Sequence, residues 1–220
     1  NLTSLTATNL SSGTVPTARL GTGTASSSTI LYGDNTWAAA GGGDLVLLAS
    51  VTASADATVE FSGYFSSDYY NYYIYFNNVR ASAAPKWLSL RLSTAAGYFT
   101  GATDYGTANY GMQVTGDGTG TAVAQGDSAY QYIALSPSSL ENDSNWDCSG
   151  FIHIPLPTQS AYKVVNFQLT SGEPDDAAYI TNNQGSGVLY TADDLVGVQF
   201  LFASANISTG NFRMYGLKNA

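Results

Sequence analysis

The feature that most narrows what this chain can fold into is a period-two alternation of apolar and polar residues that keeps returning, with no helical period beside it. In Trp87-Leu88-Ser89-Leu90-Arg91-Leu92, the leucines fall on one side of an extended chain and Trp87, Ser89 and Arg91 on the other. Thr58 to Gly63 sets Val59 and Phe61 against Thr58, Glu60 and Ser62. Leu45 to Val51, Tyr70 to Val79, Tyr130 to Leu135, Phe151 to Leu156, Val164 to Leu169, Val196 to Ala203 and Asn211 to Leu217 read as further strands. Turn chemistry separates them, as in Gly116-Asp117-Gly118 and Ser136-Pro137-Ser138-Ser139. So many strands without helices imply an all-β fold, a two-sheet antiparallel sandwich (jelly-roll-like). The polar gaps Ala95 to Asn109 and Gly116 to Asp127 are expected to be loops, where function tends to sit.

The N-terminal segment is written differently. Residues 1–43 are nearly all Gly, Ser, Thr, Ala and Asn, with sparse large apolar residues at Leu2, Leu5, Leu10, Val15 and Leu20, and with Arg19 and Asp34 as the only charges. Such a segment cannot bury enough apolar surface alone to offset the entropy of ordering it. It is either a linker or one strand of a multi-chain assembly whose apolar residues meet partner copies on an axis. The regular spacing, and the need to bury Trp37, favour the assembly. Ala38-Ala39-Ala40-Gly41-Gly42-Gly43 is a flexible joint. The expected organisation is therefore a thin, extended stem with its joint over 1–43 and a β-sandwich tip over 44–220.

Ser12 to Trp37, with Gly13-Thr14-Val15-Pro16-Thr17-Ala18-Arg19-Leu20 and Gly33-Asp34-Asn35-Thr36-Trp37, resembles the stem repeats of tail-fibre and related virion fibre proteins of tailed bacteriophages. Asn206 to Lys218 is similar to the closing strand of such proteins, and Leu195 to Phe202 to the strand before it. The resemblance brackets the chain at both ends, while the middle matches in style only. It implies a homotrimer, a place on the surface of the phage particle at its tail, and contact with other virion proteins through the stem. It brings no catalytic motif.

Charged residues are 10% of the 220, against 44% hydrophobic, and sixteen are Tyr. The net charge of −9 lies wholly in residues 44–220 and argues against nucleic acid as a partner. No apolar run is long enough for a membrane-spanning helix, so membrane insertion is not expected. The sequence opens on Asn1 with no recognisable leader, as a processed or partial chain would. Cys148 is the only cysteine, which excludes an intrachain disulfide.

Catalytic chemistry finds little to use. His153 is the only histidine and sits opposite Ile152 and Ile154, and nothing orients it as a base for Cys148. There is no nucleophile elbow, phosphate loop or zinc pattern. Asp104, Asp117, Asp127, Glu141, Asp143, Asp147, Glu173, Asp175, Asp176, Asp193 and Asp194 are read as solvated loop acids, with a hydrolase pair or a calcium site as the alternatives. No cofactor, metal or catalytic residue is assigned, and the chain is not expected to be an enzyme.

The aromatics are more suggestive. Half of the run from Tyr69 to Phe76 must face a core or an interface. A second group falls in expected loops: Tyr98, Phe99, Tyr105, Tyr110 and Trp146, beside Asp104, Asn109, Asn145 and Asp147. Flat rings stack on sugar C–H faces while neighbouring amides and carboxylates pair with hydroxyls. Apart from Phe99, these eight residues are the expected ligand-binding set, and a host cell-surface polysaccharide the expected partner. A head-fibre, decoration or baseplate adaptor is the alternative, and a glycan depolymerase a further one.

Overall fold

The computed structural model describes residues 16–39, 44–83, 86–114, 117–136, 140, 146–173 and 179–219. The chain forms two compact units, Asn1–Gly43 and Asp44–Ala220. The expectations about Leu2, Leu5, Leu10 and Val15 lie outside the described residues.

In the first unit a single 3-10 turn, Thr17–Arg19, follows Pro16 and leads into β1 (Thr22–Gly23), β2 (Thr29–Leu31) and β3 (Thr36–Ala39). β3 lies between the other two, parallel to β1 and antiparallel to β2. The Gly-Asp-Asn-Thr-Trp motif makes the turn between β2 and β3. Asp34 Oδ1 accepts from the Thr36 amide at 3.0 Å and the Thr36 hydroxyl at 2.6 Å, and Asn35 takes a φ of 62°. The Thr36 hydroxyl, then its amide, hold the Asp34 carboxyl below its usual pKa range. Trp37 is half-buried, and its Nε1 donates to the Thr17 carbonyl at 3.2 Å. None of the side chains described in this unit is buried, and Leu20, Ile30, Leu31 and Tyr32 are exposed.

The second unit is a two-sheet antiparallel sandwich. Its strands are β4 (Leu45–Asp56), β5 (Thr58–Ser62), β6 (Tyr69–Ala81), β7 (Leu88–Thr94), β8 (Gly97–Tyr98), β9 (Tyr105–Val114), β10 (Gly120–Tyr130), β11 (Ile133–Ala134), β12 (Cys148–Pro155), β13 (Lys163–Glu173), β14 (Tyr179–Leu189), β15 (Gly197–Phe202) and β16 (Ile207–Lys218). The larger sheet has eight strands in the order β10-β9-β14-β13-β12-β6-β16-β4. The smaller runs β11-β7-β15-β5, with β8 paired to β7.

Alternation decides which side chains meet between the sheets. Leu88, Leu90 and Leu92 with Val198 and Phe200 line the smaller sheet; Tyr72, Ile74, Phe76, Ile152, Ile154, Val165, Phe167, Phe212 and Met214 line the larger. Phe200 joins the two layers, its ring centroid 5.8 Å from that of Phe76 and 5.0 Å from that of Phe212. Each such ring removes a large apolar area from water, which dominates the stability of the fold.

Two expected loops are strand in part. β9 takes in Tyr105 to Asn109 of the first gap and β10 Gly120 to Asp127 of the second, and the two form an antiparallel hairpin. The pattern of β9 is inverted. Thr107 and Asn109 point inward and are buried, whereas Tyr110, Met112 and Val114 point outward and are exposed. The inward amides are partly accommodated by the neighbouring segment, since Asn183 Nδ2 donates to the Leu135 carbonyl at 2.7 Å.

Candidate functional site

The eight expected ligand-binding residues do not form one site. Asn145 lies outside the described residues. Tyr105 is fully buried rather than displayed, and its hydroxyl accepts from the Leu92 amide at 2.9 Å and donates toward the Leu92 carbonyl at 3.2 Å. Burial raises its phenol pKa far above the ordinary value, so it stays protonated and able to donate. Asn109 is also buried, on the inner face. Asp104 is a turn residue whose Oδ2 accepts from the Gly101 amide at 2.5 Å. Tyr98 is half-buried, and burial first, then the negative charge of Glu60, push its phenol up to about 12. Tyr98, Asp104 and Tyr105 lie at one end of the sandwich, and Asn109 sits midway along β9, opposite Gly185.

Trp146 and Asp147 belong to the opposite end. The Trp146 ring packs against Gly172 in β13, where any Cβ would collide with it. Asp147 pairs with Arg80 at 3.1 Å. Tyr105 registers with Leu189 and Leu189 with Lys163, whereas Trp146 sits at Gly172, nine residues farther along β13. At ~3.4 Å per residue the two groups are about 30 Å apart. One ligand contact cannot use both as a single pocket.

Tyr110 alone of the set is both aromatic and exposed, at 52%. It stands on the outer face of the eight-stranded sheet, where the register aligns side chains in rows. One row runs Ala124, Tyr110, Gln184, Gln168, Phe151, Tyr75, Arg213, Ser50. The next runs Gly126, Ala108, Ser186, Asn166, His153, Tyr73, Tyr215, Leu47. Arg213 is the only formally charged residue in the two rows, in a chain whose net charge is −9. His153 adds no charge near neutrality, because burial lowers its pKa below the ordinary imidazole value of 6.5. Its ring stacks on Tyr73 at 4.7 Å and its Nε2 lies 2.8 Å from Asn71 Oδ1.

An open trough lies along the two rows. Ala108 and Ser186 are its smallest outward side chains and make its floor, Asn166 continues their row, and Tyr110, Gln184, Gln168 and Phe151 follow in order along the other, around a volume of about 560 Å³. Three strand spacings of ~4.8 Å separate Tyr110 from Phe151, about 14 Å. An apolar hollow of about 390 Å³, lined by Gly106, Val164, Val188 and Tyr190, shares Ala108 and Ser186 with it. Ser186 Oγ donates to Asn166 Oδ1 at 2.8 Å, which orients that amide and leaves its Nδ2 to donate elsewhere. Sequence reasoning did not single out Phe151, Asn166, Gln168, Gln184 or Ser186 as binding residues. The signal was in the text: Val164 to Leu169 and Asn182 to Ser186 place amides and a hydroxyl at outward positions where charged residues are the ordinary choice.

Among the described residues no three His, Cys, Asp or Glu side chains gather where they could hold a metal ion. Glu141, Asp143, Asp175 and Asp176 lie outside the described residues. Cys148 is buried on the inner side of β12 and His153 points to the outer side, so they are not a pair. No helix among the described residues is long and apolar enough to cross a membrane.

No protein-family profile matches the sequence. No curated protein matches it either. Among solved structures, a chain from "Structure of infectious bursal disease virus Gx strain" aligns with a TM-score of 0.11 and 12% identity, over 86% of this chain and 45% of that one. The chain thus spans less than half of that viral chain, and a likeness at this score carries no argument.

Proposed function

We propose that this chain is a trimeric virion fibre protein of a tailed bacteriophage that attaches to a bacterial surface glycan through the outer face of its sandwich. The observation that carries the glycan reading is that face: aromatic rings, amides and hydroxyls in register, with one formal charge across the two central rows. Rings offer flat stacking surfaces and amides both donate and accept, which together suit polyhydroxylated rings. The stem motifs support the fibre reading. The first unit also supports a multi-chain stem, because it has no buried side chain among those described, and so small a unit lacks a core unless copies share one. Three tips on one stem would raise avidity by ~10² or more when geometry allows simultaneous contact.

The test is adhesion of the labelled full chain to bacterial cells before and after periodate, which cleaves sugar diols, or protease. Binding lost to periodate and kept after protease is the expected result; the reverse contradicts it. Incubation with the bound polysaccharide should release no reducing ends, because no hydrolytic acid pair is assigned.

One observation favours a second reading, an adaptor between virion proteins. Val114 and Ile180 register with each other on the same outer face and are 39% and 56% exposed. An apolar pair displayed this way suits a protein contact better than a sugar.

A further inference from the structure

We infer that the trough between Tyr110 and Phe151 is the glycan subsite, and that its ligand is an uncharged oligosaccharide of pyranose rings. The inference rests on the attachment reading above and narrows it to one site and one ligand class.

Three observations carry it. First, none of the trough's lining residues bears a formal charge, although the chain carries −9. An anionic sugar would meet no cation here and would be repelled at long range by the rest of the protein. Second, the polar groups are ready to pair. The Ser186–Asn166 bond fixes one amide, and the Gln168 and Gln184 side-chain amides make no hydrogen bond among the described residues. Sealing these groups beneath an apolar protein surface would cost their hydration without replacement, whereas sugar hydroxyls return hydrogen bonds of both polarities. A second copy of the chain is therefore the weaker occupant. Third, Tyr110 and Phe151 lie about 14 Å apart across three strand spacings, with Gln184 and Gln168 between them in the same row. That row is longer than one sugar ring, so the site suits two or more linked rings, one stacking on Tyr110 and the next paired with the amides.

The floor explains why the trough exists. Ala108 and Ser186 are neighbours in register at outward positions of β9 and β14, and both line the trough. Small residues side by side at outward positions leave a depression that large ones would fill.

The test is calorimetric titration of the full chain with neutral hexasaccharides (maltohexaose, cellohexaose, mannohexaose and isomaltohexaose), their monosaccharide methyl glycosides, and an oligosialic acid. We expect at least one neutral hexasaccharide to bind, more tightly than its methyl glycoside, and the oligosialic acid not to bind. Tyr110→Ala and Gln168→Ala, both at exposed positions, should each weaken binding by about tenfold. Tyr70→Ala, exposed elsewhere on β6, should leave it unchanged. The inference is overturned if no neutral hexasaccharide binds, if the sialic acid oligomer binds as well, or if both trough variants bind like the parent. It is also overturned if Tyr110→Ala lowers the sedimenting mass, which would make the face a contact between copies. Periodate-sensitive adhesion that survives Tyr110→Ala would refute the trough and leave attachment standing. Adhesion to no cell surface would refute attachment itself.

Discussion

At the scale of single residues, the contrast between Tyr105 and Tyr110 shows how five positions on one strand separate a structural role from an exposed one. Tyr105 is sealed in, and its hydroxyl is bound to the Leu92 amide and carbonyl. Tyr105→Phe would leave those backbone groups without a partner in a dry site. It should cost about 1–3 kcal/mol in chemical denaturation and leave glycan binding untouched. Cys148 is similarly committed: burial first, then the negative charge of Asp147, push its thiol far above the ordinary value of 9.0. Both folded and unfolded chains keep the proton below that value. Above it the unfolded chain ionises first, so stability should fall as pH rises. Ellman's reagent should therefore react with Cys148 only after denaturant is added; fast reaction in the native protein would contradict its burial. His153 works in the opposite direction. Its pKa is lowered in the fold, so its contribution is present above the unfolded value of 6.5 and lost as pH falls. A melting temperature that drops between about pH 7 and 5, and drops less in His153→Gln, is the expected signature.

At the scale of elements, the sandwich was legible where the chain obeys the ordinary rule of apolar inside and polar outside. Leu88, Leu90 and Leu92, or Val59 and Phe61, announce their strands without help. β9, β10 and β14 were not read as strands, and they are adjacent in the sheet. β9 reverses the rule, burying Thr107 and Asn109 while exposing Tyr110, Met112 and Val114. β14 likewise buries Thr181 and Asn183. Alternation shows no inward apolar face there, because Thr107, Asn109, Thr181 and Asn183 take inward positions while Tyr110 takes an outward one. The trough lies on β9, β14, β13 and β12, so half of its walls belonged to strands the sequence did not reveal. Tyr110 was recognisable from its chemistry, but its partners on other strands depend on register, which no single segment contains. Packing between layers is as strict as the register. Gly187 in β14 leaves room for the Ile133 side chain, three of whose carbons would lie 2.6 Å from an added Cβ. Gly187→Ala should therefore force Ile133 to shift and destabilise the sandwich by about 1–3 kcal/mol, measured by thermal or urea unfolding.

At the scale of the whole molecule, the two units pose different problems of stability. The sandwich has its own core and should fold alone, whereas the first unit exposes Leu20, Ile30, Leu31 and Tyr32. The proposed trimer, joined through residues 1–43, would resolve that difference by giving the first unit a shared interior. Sedimentation of the full chain should give about three times the monomer mass, and removal of residues 1–43 should return a folded monomer. A monomeric full chain with an ordered stem would contradict the assembly. The proposed glycan contact on the outer face of the large sheet is tested most directly by a crystal structure of the full chain grown with the tightest-binding neutral oligosaccharide. Sugar density is expected in the trough, with one ring stacked on Tyr110 and hydroxyls within hydrogen-bond reach of Asn166, Gln168 or Gln184. Sugar bound at the Tyr98 and Asp104 end or beside Trp146, with the trough empty, would contradict it.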